Sequence, residues 1–439
     1  MFSLHGVHVP HRKSTAEKSA VRMAPPARVV LPMSMHIGRP AEVQVRVGDT
    51  VFVGTMIGAA SGPVSSPVFS SVSGKVVGVQ ELLLSSGGYT SAVVIESDGE
   101  MTPDPTIAPP VVDSRETLLS ALAASGIVGL GGAGFPTHVK LNVPPEKIDY
   151  LVINGAECEP YVTSDTQTML TRREDIKKAL LALSAHLGIR HAIIGIESNK
   201  ARAIAAMREL AAELADKPTL TVQVLPAKYP QGGEKVLIHR TTGRVVSNGK
   251  LPIDVGCVVL NCTTLAAIGA YLETGMPLVE KCVTVGGGAV ADPQNVIAPI
   301  GASMADVIAF CGGYKEAPKK LIYGGPMMGI TVPDDTAPIL KNTNAVLALT
   351  AREAKMPRET ACIHCGSCVN SCPFGLMPFA IATALARRDI AALEELSVTS
   401  CMECGCCSFV CPANRPLVQT NKLAKVMLRE EKAKEGAKS

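Results

Sequence analysis

The stretch Cys362-Ile363-His364-Cys365-Gly366-Ser367-Cys368-Val369-Asn370-Ser371-Cys372-Pro373 has the spacing C-x2-C-x2-C-x3-C-P. The same spacing returns at Cys401, Cys404, Cys407, Cys411 and Pro412. Paired runs of this kind bind two 4Fe–4S clusters, and the fourth cysteine of each run ligates the other cluster. The spacing therefore predicts one cluster on Cys362, Cys365, Cys368 and Cys411, and a second on Cys401, Cys404, Cys407 and Cys372. A pair of zinc sites is disfavoured, because zinc ligands usually come as two separated pairs.

The composition of the 439-residue chain fits a globular protein of several domains. Hydrophobic residues make up 47% of it. The formal net charge of +3 is too small to indicate a nucleic-acid partner, and no basic patch interleaved with aromatic residues is present, so we expect none. Six further cysteines are scattered without a disulfide-like pattern, which suits a reducing compartment. No signal peptide and no transmembrane helix is predicted. We therefore expect a cytosol-facing protein that reaches a membrane only by docking on other subunits.

The first hundred residues predict an extended arm, 1–27, and a β-rich domain, 28–100. Within the latter, the segment from Val68 to Val76 resembles the hairpin of the biotinyl/lipoyl type, in a barrel-sandwich hybrid domain. That family carries its modified lysine at the hairpin tip, here Phe69-Ser70-Ser71. Lys75 instead lies on the outgoing strand. We therefore expect no swinging-arm cofactor and interpret the domain as structural or docking.

Residues 114–265 alternate helical and buried-strand patterns, which predicts a Rossmann-like α/β domain with helices on both faces of its sheet. Helices are predicted at Arg115–Ala124, Arg172–Leu187 and Ala201–Leu214, and strands at Tyr150–Ile153, Ala192–Ile196 and Leu220–Leu225. Residues 266–330 predict a small β-grasp module with a strand at Cys282–Val285 and a helix at Met304–Cys311. A linker then leads to an α-helical two-cluster domain, 350–425, and a charged tail, 426–439.

A glycine-rich loop opens the α/β domain: Gly129-Leu130-Gly131-Gly132-Ala133-Gly134-Phe135-Pro136-Thr137, with Lys140 shortly after it. The loop satisfies G-x-G-x-x-G, but a helical segment precedes it, so the dinucleotide fingerprint lacks its structural context. The glycines still let backbone N–H groups approach a ligand closely, and Lys140 adds a positive charge to this anion-binding concavity. The alternative is a tight glycine turn that binds no ligand. A two-cluster domain in the same chain disfavours this alternative.

Together with Asn154-Gly155-Ala156-Glu157-Cys158-Glu159-Pro160-Tyr161, this loop resembles the flavin and NADH domain of the complex I flavoprotein subunit. The segments from Lys228 to Lys235 and from Asn261 to Ala266 resemble that family's second glycine loop and its Asn-x-x-Thr-Leu-Ala helix start, which suits a phosphate. The resemblance implies cofactor contacts at Gly129, Gly131, Gly132, Gly134, Phe135, Lys140, Asn154, Tyr161, Gly232, Gly233, Glu234, Asn261 and Thr264.

The same resemblance places Glu157 and Glu159 beside the flavin and the nicotinamide, where we expect them to orient the nicotinamide and ribose. The alternative for each is an exposed loop carboxylate. Tyr161 stands where the complex I flavoprotein has glycine, so that family's NADH-stacking details do not carry over.

The order of barrel-sandwich, flavin, β-grasp and two-cluster domains resembles that of the RnfC family, the peripheral subunits of Rnf complexes. This resemblance implies an oxidoreductase component that transfers electrons between NAD(H) and ferredoxin through FMN and two 4Fe–4S clusters. It implies a peripheral position on the cytoplasmic face of the bacterial inner membrane. Other Rnf-type membrane and ferredoxin-like subunits would be the partners, and the membrane subunits would translocate the ions.

Two other functions remain open. A soluble cobalamin reductase of the microcompartment type shares the flavin and cluster domains, but its glycine loop lies ahead of its barrel-sandwich segment, whereas here the loop follows it. A docking and electron-wiring subunit would bind neither NADH nor flavin, and an intact glycine loop with Lys140 argues against it.

Overall fold

The computed structural model describes residues 5–85, 87–215 and 217–436. Its N-terminal domain consists of two antiparallel sheets with the strand orders β2-β8-β7-β4 and β3-β5-β6. Strand β1 lies in the preceding arm. The bounds are β1 (Val21–Arg22), β2 (Arg28–Pro32), β3 (Glu42–Val43), β4 (Thr50–Val51), β5 (Met56–Ala59), β6 (Val68–Phe69), β7 (Gly74–Leu83) and β8 (Tyr89–Ser97). Branched side chains such as Val29, Leu31 and Ile95 are fully buried inside it.

The predicted hairpin between residues 68 and 76 is wrong. Strand β6 pairs with β5, whereas β7 pairs with β8 and β4, so the chain crosses from one sheet to the other between them. Ser70 and Ser71 are buried, and the Ser71 hydroxyl donates to the Ile300 carbonyl beside the third sheet. A period-2 pattern identifies a strand but not its partner, and the expected exposed tip is a contact between domains.

The α/β domain has a four-stranded parallel sheet of order β11-β10-β9-β12 with helices packed on it. Its elements are α1 (Arg115–Ala124), α2 (Thr137–Leu141), β9 (Tyr150–Gly155), α3 (Ser164–Thr171), α4 (Arg173–Leu187), β10 (His191–Glu197), α5 (Ala201–Leu214), β11 (Thr219–Leu225), α6 (Glu234–Thr242), β12 (Cys257–Asn261) and α7 (Cys262–Thr274). The carboxyl ends of all four strands meet at one edge, where ligands of such sheets bind.

The third sheet is six-stranded, with the order β1-β14-β13-β17-β15-β16. Its elements are β13 (Glu280–Gly286), β14 (Gln294–Pro299), α8 (Met304–Phe310), β15 (Lys320–Tyr323), β16 (Ile330–Val332) and β17 (Ala345–Leu349). Strand β17 is fully buried in the middle of the sheet, where the sequence predicted a linker. Strand β1 pairs with β14, so the arm forms one edge of this sheet.

The cysteine runs lie in a small helical domain. Its helices are α9 (Ser367–Asn370), α10 (Pro378–Arg387), α11 (Ile390–Glu395), α12 (Cys406–Phe409) and α13 (Leu417–Gly436). Helix α13 packs on α10 and buries Ala424 and Leu428. The charged tail thus begins as a core helix, and residues 437–439 lie outside the described ranges. Among the helices that the structure describes, none is both long and apolar enough to cross a bilayer.

Candidate functional site

The glycine loop lies against the start of helix α7, at the carboxyl edge of the parallel sheet. The Leu130 N–H donates to Thr264 Oγ1 at 2.9 Å. A Cβ at Gly131 would lie 2.3 Å from Asn261 Nδ2, so only glycine fits there. Gly134 has a φ of +72°, a conformation that glycine adopts without strain. Two motifs far apart in sequence therefore meet here.

The backbone N–H groups of this loop define its open side. Within the described ranges, none of the N–H groups from Gly131 to Phe135 has an acceptor, and Gly131, Gly132 and Ala133 are exposed. The Phe135 carbonyl accepts from the Gly129 N–H at 2.9 Å, which closes the loop. A run of unpaired N–H groups beside a helix N-terminus forms a cradle for an anionic group. This arrangement fits the phosphate of a flavin mononucleotide.

The second glycine loop joins the same edge of the sheet through two polar contacts. Lys140 Nζ pairs with Glu234 Oε1 at 2.9 Å and donates to the Val259 carbonyl at 3.1 Å. Asn154 Nδ2, at the end of β9, donates to the Gly232 carbonyl at 2.9 Å. The structure therefore brings together all four motifs that the sequence singled out.

Glu157 is buried, and its carboxylate is hydrogen-bonded to the first turn of helix α3. Its carboxylate accepts from the Asp165 N–H at 2.7 Å and from Thr166 Oγ1 at 2.7 Å. Burial raises the pKa of Glu157. From the arm, Lys13 Nζ donates to the carbonyls of Glu157 (2.9 Å) and Glu159 (3.0 Å). The alternative of an exposed loop carboxylate is wrong for Glu157, which is 5% exposed.

Glu159 is half-buried and holds a turn of the third sheet. Its carboxylate accepts from the N–H groups of Met327 at 3.0 Å and Met328 at 2.8 Å. Burial raises the pKa of Glu159 to about 7. A Cβ at Gly325 would lie 2.2 Å from Glu159 Oε2, so the approach requires a glycine in this turn.

Tyr161 contacts the arm and the end of the third sheet rather than the glycine loop. Its hydroxyl accepts from Arg12 Nη1 at 2.7 Å and donates to Glu353 Oε1 at 2.8 Å. The contacts of Glu157, Glu159 and Tyr161 described above are all within the protein. Their roles toward a nicotinamide stay predictions.

The cysteines form the two groups that the spacing predicts. Cys362, Cys365, Cys368 and Cys411 line one cavity of about 190 Å³. The other four thiols lie close together: burial and then the nearby Cys404, Cys401 and Cys372 together raise the pKa of Cys407 to about 12. Both sets supply the four thiolates that a 4Fe–4S cluster requires.

A single metal ion is the alternative ligand for these cysteines. Within the described ranges, no three His, Cys, Asp or Glu side chains converge on a point that one ion could occupy. A zinc site needs ligands about 2.0–2.3 Å from a common centre. The preference for clusters over zinc rests on the spacing of the two runs.

One contact between the flavin domain and the cluster domain was missed by sequence reasoning. The Tyr229 hydroxyl donates to the Cys404 carbonyl at 2.7 Å. Around it lies a buried patch formed by Val7, Val9, Cys158, Tyr229, Cys404 and Cys406. Tyr229 belongs to the second glycine loop, but no local pattern indicates that a cysteine run packs on it. No sequence pattern predicted the contacts of the half-buried Lys13 either.

Comparisons with known proteins agree with this domain order. Four family models match: the RnfC barrel sandwich hybrid domain over residues 2–100, the Nuo51 FMN-binding domain over 122–270, the SLBB domain over 282–331 and the 4Fe-4S dicluster domain over 361–415. The chain is also 43% identical to the RnfC protein of the Na(+)-translocating ferredoxin:NAD(+) oxidoreductase complex from Acetobacterium woodii, over 96% of this chain and 95% of that protein. The chain belongs to the RnfC family.

Further RnfC relatives match over nearly the whole chain. The corresponding protein of the proton-translocating ferredoxin:NAD(+) oxidoreductase complex from Clostridium ljungdahlii is 39% identical, over 99% of this chain and 95% of that protein. The one from the ion-translocating oxidoreductase complex of Rhodobacter capsulatus is 38% identical, over 99% of this chain and 84% of that protein. These matches confirm the family, and the FMN-binding and dicluster models confirm FMN and 4Fe–4S clusters as its cofactors.

Among solved structures, an NAD+-reducing [NiFe]-hydrogenase in the air-oxidized state is similar to this RnfC chain. The TM-score is 0.50 at 20% identity, over 65% of this chain and 55% of that one. This similarity shows a shared fold for the matched domains.

Proposed function

We propose that this chain is the NAD(H)-reactive peripheral subunit of an ion-translocating ferredoxin:NAD+ oxidoreductase complex. The observation that carries the proposal is the contact between the second glycine loop of the flavin domain and a cluster-binding loop, through Tyr229 and Cys404. When bound, FMN supplies the exchange between hydride and single electrons, and the clusters supply one-electron steps. A contact between the flavin domain and a cluster-binding loop is what a two-to-one electron converter requires.

The residues that would hold FMN are those around the unpaired N–H groups. The loop from Gly129 to Phe135 and the start of α7 at Asn261 and Thr264 would bind the phosphate, and Lys140 would add a positive charge. Asn154, Gly232, Gly233 and Glu234 border the same edge of the sheet. We assign Glu157 and Glu159 to orienting the nicotinamide and ribose, through the rigid segment that Lys13 holds by its carbonyls.

The two cysteine groups differ in their surroundings, and we propose an order for them. The inner group (Cys401, Cys404, Cys407 and Cys372) contacts the flavin domain, where Met402 packs on Gly233, and the third-sheet domain, where Gly405 packs on Met327. The outer group (Cys362, Cys365, Cys368 and Cys411) reaches the surface, where Cys365 is exposed and Ile363 is 67% exposed. The outer group would therefore face the partner and the inner group the flavin.

The names of the relatives support the proposed partners and location. Their names describe subunits of ion-translocating complexes that react with ferredoxin and NAD(+). We propose that this chain docks peripherally on membrane subunits at the cytoplasmic face of the bacterial inner membrane. NADH would react at the glycine loops, and ferredoxin would exchange electrons through another subunit.

Anaerobic purification of the full chain tests this function through its iron, sulfide and FMN content and the bleaching of its flavin by NADH. We expect about eight irons, from two clusters of four, with one FMN and rapid bleaching. Eight irons without flavin would instead support the wiring role. Flavin that NADH leaves oxidised would overturn the proposed NAD(H) reaction and favour a cobalamin-type reductase.

A further inference from the structure

The glycine loop is held by residues from outside the flavin domain. Three of its carbonyls each accept a hydrogen bond from a different part of the chain. Lys281 Nζ, on β13, donates to the Leu130 carbonyl at 2.5 Å, and Asn342 Nδ2, before β17, donates to the Gly132 carbonyl at 2.9 Å. The Ile37 N–H of the barrel-sandwich domain donates to the Gly134 carbonyl at 3.1 Å.

These three contacts determine where the N–H groups of the loop point. In a planar trans peptide the carbonyl and the following N–H point in opposite directions. Because the carbonyls of residues 130, 132 and 134 turn toward the neighbouring domains, the N–H groups of residues 131, 133 and 135 turn away from them. These are among the N–H groups that find no acceptor in the described part of the chain. The neighbouring domains thus aim alternate amides at the open side of the loop.

The donors are themselves fixed by buried contacts. Lys281 is 3% exposed, and Thr284, on the same strand, is fully buried. Lys341, next to Asn342, is 1% exposed, and its Nζ donates to the Pro67 carbonyl at 2.6 Å and the Gly126 carbonyl at 2.9 Å. Burying a lysine is costly unless its ammonium group is hydrogen-bonded. This pair of lysines therefore ties the barrel-sandwich, flavin and third-sheet domains together around the loop.

We propose that Lys281, Asn342 and the Ile37 backbone are positioning groups that preset the glycine loop for the anionic end of FMN. The proposal rests on the proposed FMN function of the loop. Presetting lowers the ordering cost of binding, so affinity falls when a donor is removed even though that donor does not touch the flavin. The flavin site is thus built by three domains rather than one.

Titration of FMN into the flavin-depleted full chain, followed by quenching of flavin fluorescence, tests the proposal. We expect Asn342→Ala and Lys281→Met each to raise the Kd for FMN about 3- to 10-fold, the range of one hydrogen bond. Asn342→Gln, which keeps an amide donor, should recover part of the loss. The visible circular dichroism of bound FMN should change in the Ala variant, because the loop loses its fixed orientation.

Arg22→Ala is the matched control. It removes the exposed ion pair of the arm with Glu280, beside Lys281, without contacting the loop. Wild-type affinity in Asn342→Ala would overturn the proposal, and because Asn342 is half-buried this variant decides the matter even if Lys281→Met fails to fold. A wild-type chain that binds no FMN would instead overturn the proposed function itself.

Discussion

At the scale of single residues, the site depends on a few charged side chains placed at low exposure. Lys140 is the one cation that sequence reasoning assigned to the glycine loop, and the structure pairs it with Glu234 across two motifs. Three further lysines, Lys13, Lys281 and Lys341, each donate a hydrogen bond to a backbone carbonyl around the site. Burial lowers the pKa of Lys281 to about 8 and of Lys341 to about 7.

Reversing the charge at Lys140 separates flavin binding from a wiring role. We expect Lys140→Glu to lower the FMN content of the purified chain at least about tenfold, because two carboxylates would then face the phosphate cradle. Lys147→Glu is the control, since Lys147 lies in an exposed turn of the same domain. Unchanged FMN content in Lys140→Glu would contradict the assignment.

His36 makes stability depend on pH. Burial, followed by the positive charge of Lys341, lowers the pKa of His36 from 6.5 to about 4. Between these values the unfolded chain binds a proton that the folded chain does not, so stability falls as the pH drops through this window. The Ser66 N–H donates to His36 Nε2 at 3.1 Å, a contact that protonation breaks.

Thermal unfolding measured from about pH 7 to about pH 5 should show this effect. We expect the Tm of the wild-type chain to fall more steeply than that of His36→Gln. The exposed His8 provides the control, and His8→Gln should keep the wild-type slope. Equal slopes in all three proteins would show that His36 titrates normally.

At the scale of secondary-structure elements, the N-termini of helices border the site. Asn261 caps α7, since its side chain accepts from the N–H groups of Thr263 at 2.8 Å and Thr264 at 3.3 Å. Its Nδ2 donates to Asp165 at 2.7 Å, which links α7 to α3. One residue therefore ends a strand, starts a helix and borders the glycine loop.

Asn261→Ala should reduce both stability and FMN binding. Loss of an N-cap costs about 1 kcal/mol, and loss of the side chain frees the glycine loop beside it. Ser114→Ala removes a cap of the same kind from α1, away from the loop. We expect both variants to unfold at lower denaturant concentration but only Asn261→Ala to raise the Kd for FMN. Equal FMN affinity in the two variants would restrict Asn261 to a capping role.

At the scale of the whole molecule, the contact between Tyr229 and Cys404 connects the flavin and cluster domains. Tyr229→Phe leaves the buried Cys404 carbonyl without its donor, at a cost of about 1–3 kcal/mol. We expect flavin bleaching by NADH to keep its rate while the following reduction of the clusters slows, as measured by stopped-flow absorbance. Tyr314→Phe removes a comparable hydroxyl contact within the third-sheet domain and should change neither phase.

Local patterns predicted much of this molecule. Helices α1 and α5 have the predicted bounds because their apolar periodicity is clear, and the cysteine groups followed from spacing alone. Strand β17 was missed because a continuous apolar run of five residues lacks alternation. Strand pairings between distant segments could not be predicted, because they produce no periodic pattern in the sequence. No local signal shows that Lys13 or Asn342 reaches a loop more than a hundred residues away.

The position of β17 in the chain has a consequence for synthesis on the ribosome. Strand β1 leaves the ribosome long before the other strands of its sheet, and that sheet is complete only after Leu349 has emerged. Asn342 emerges just before that strand. Until then the Gly132 carbonyl of the nascent flavin domain lacks its hydrogen-bond donor. N-terminal domains generally fold first during translation. We therefore expect the nascent chain to reach its full affinity for FMN only at a late stage of synthesis.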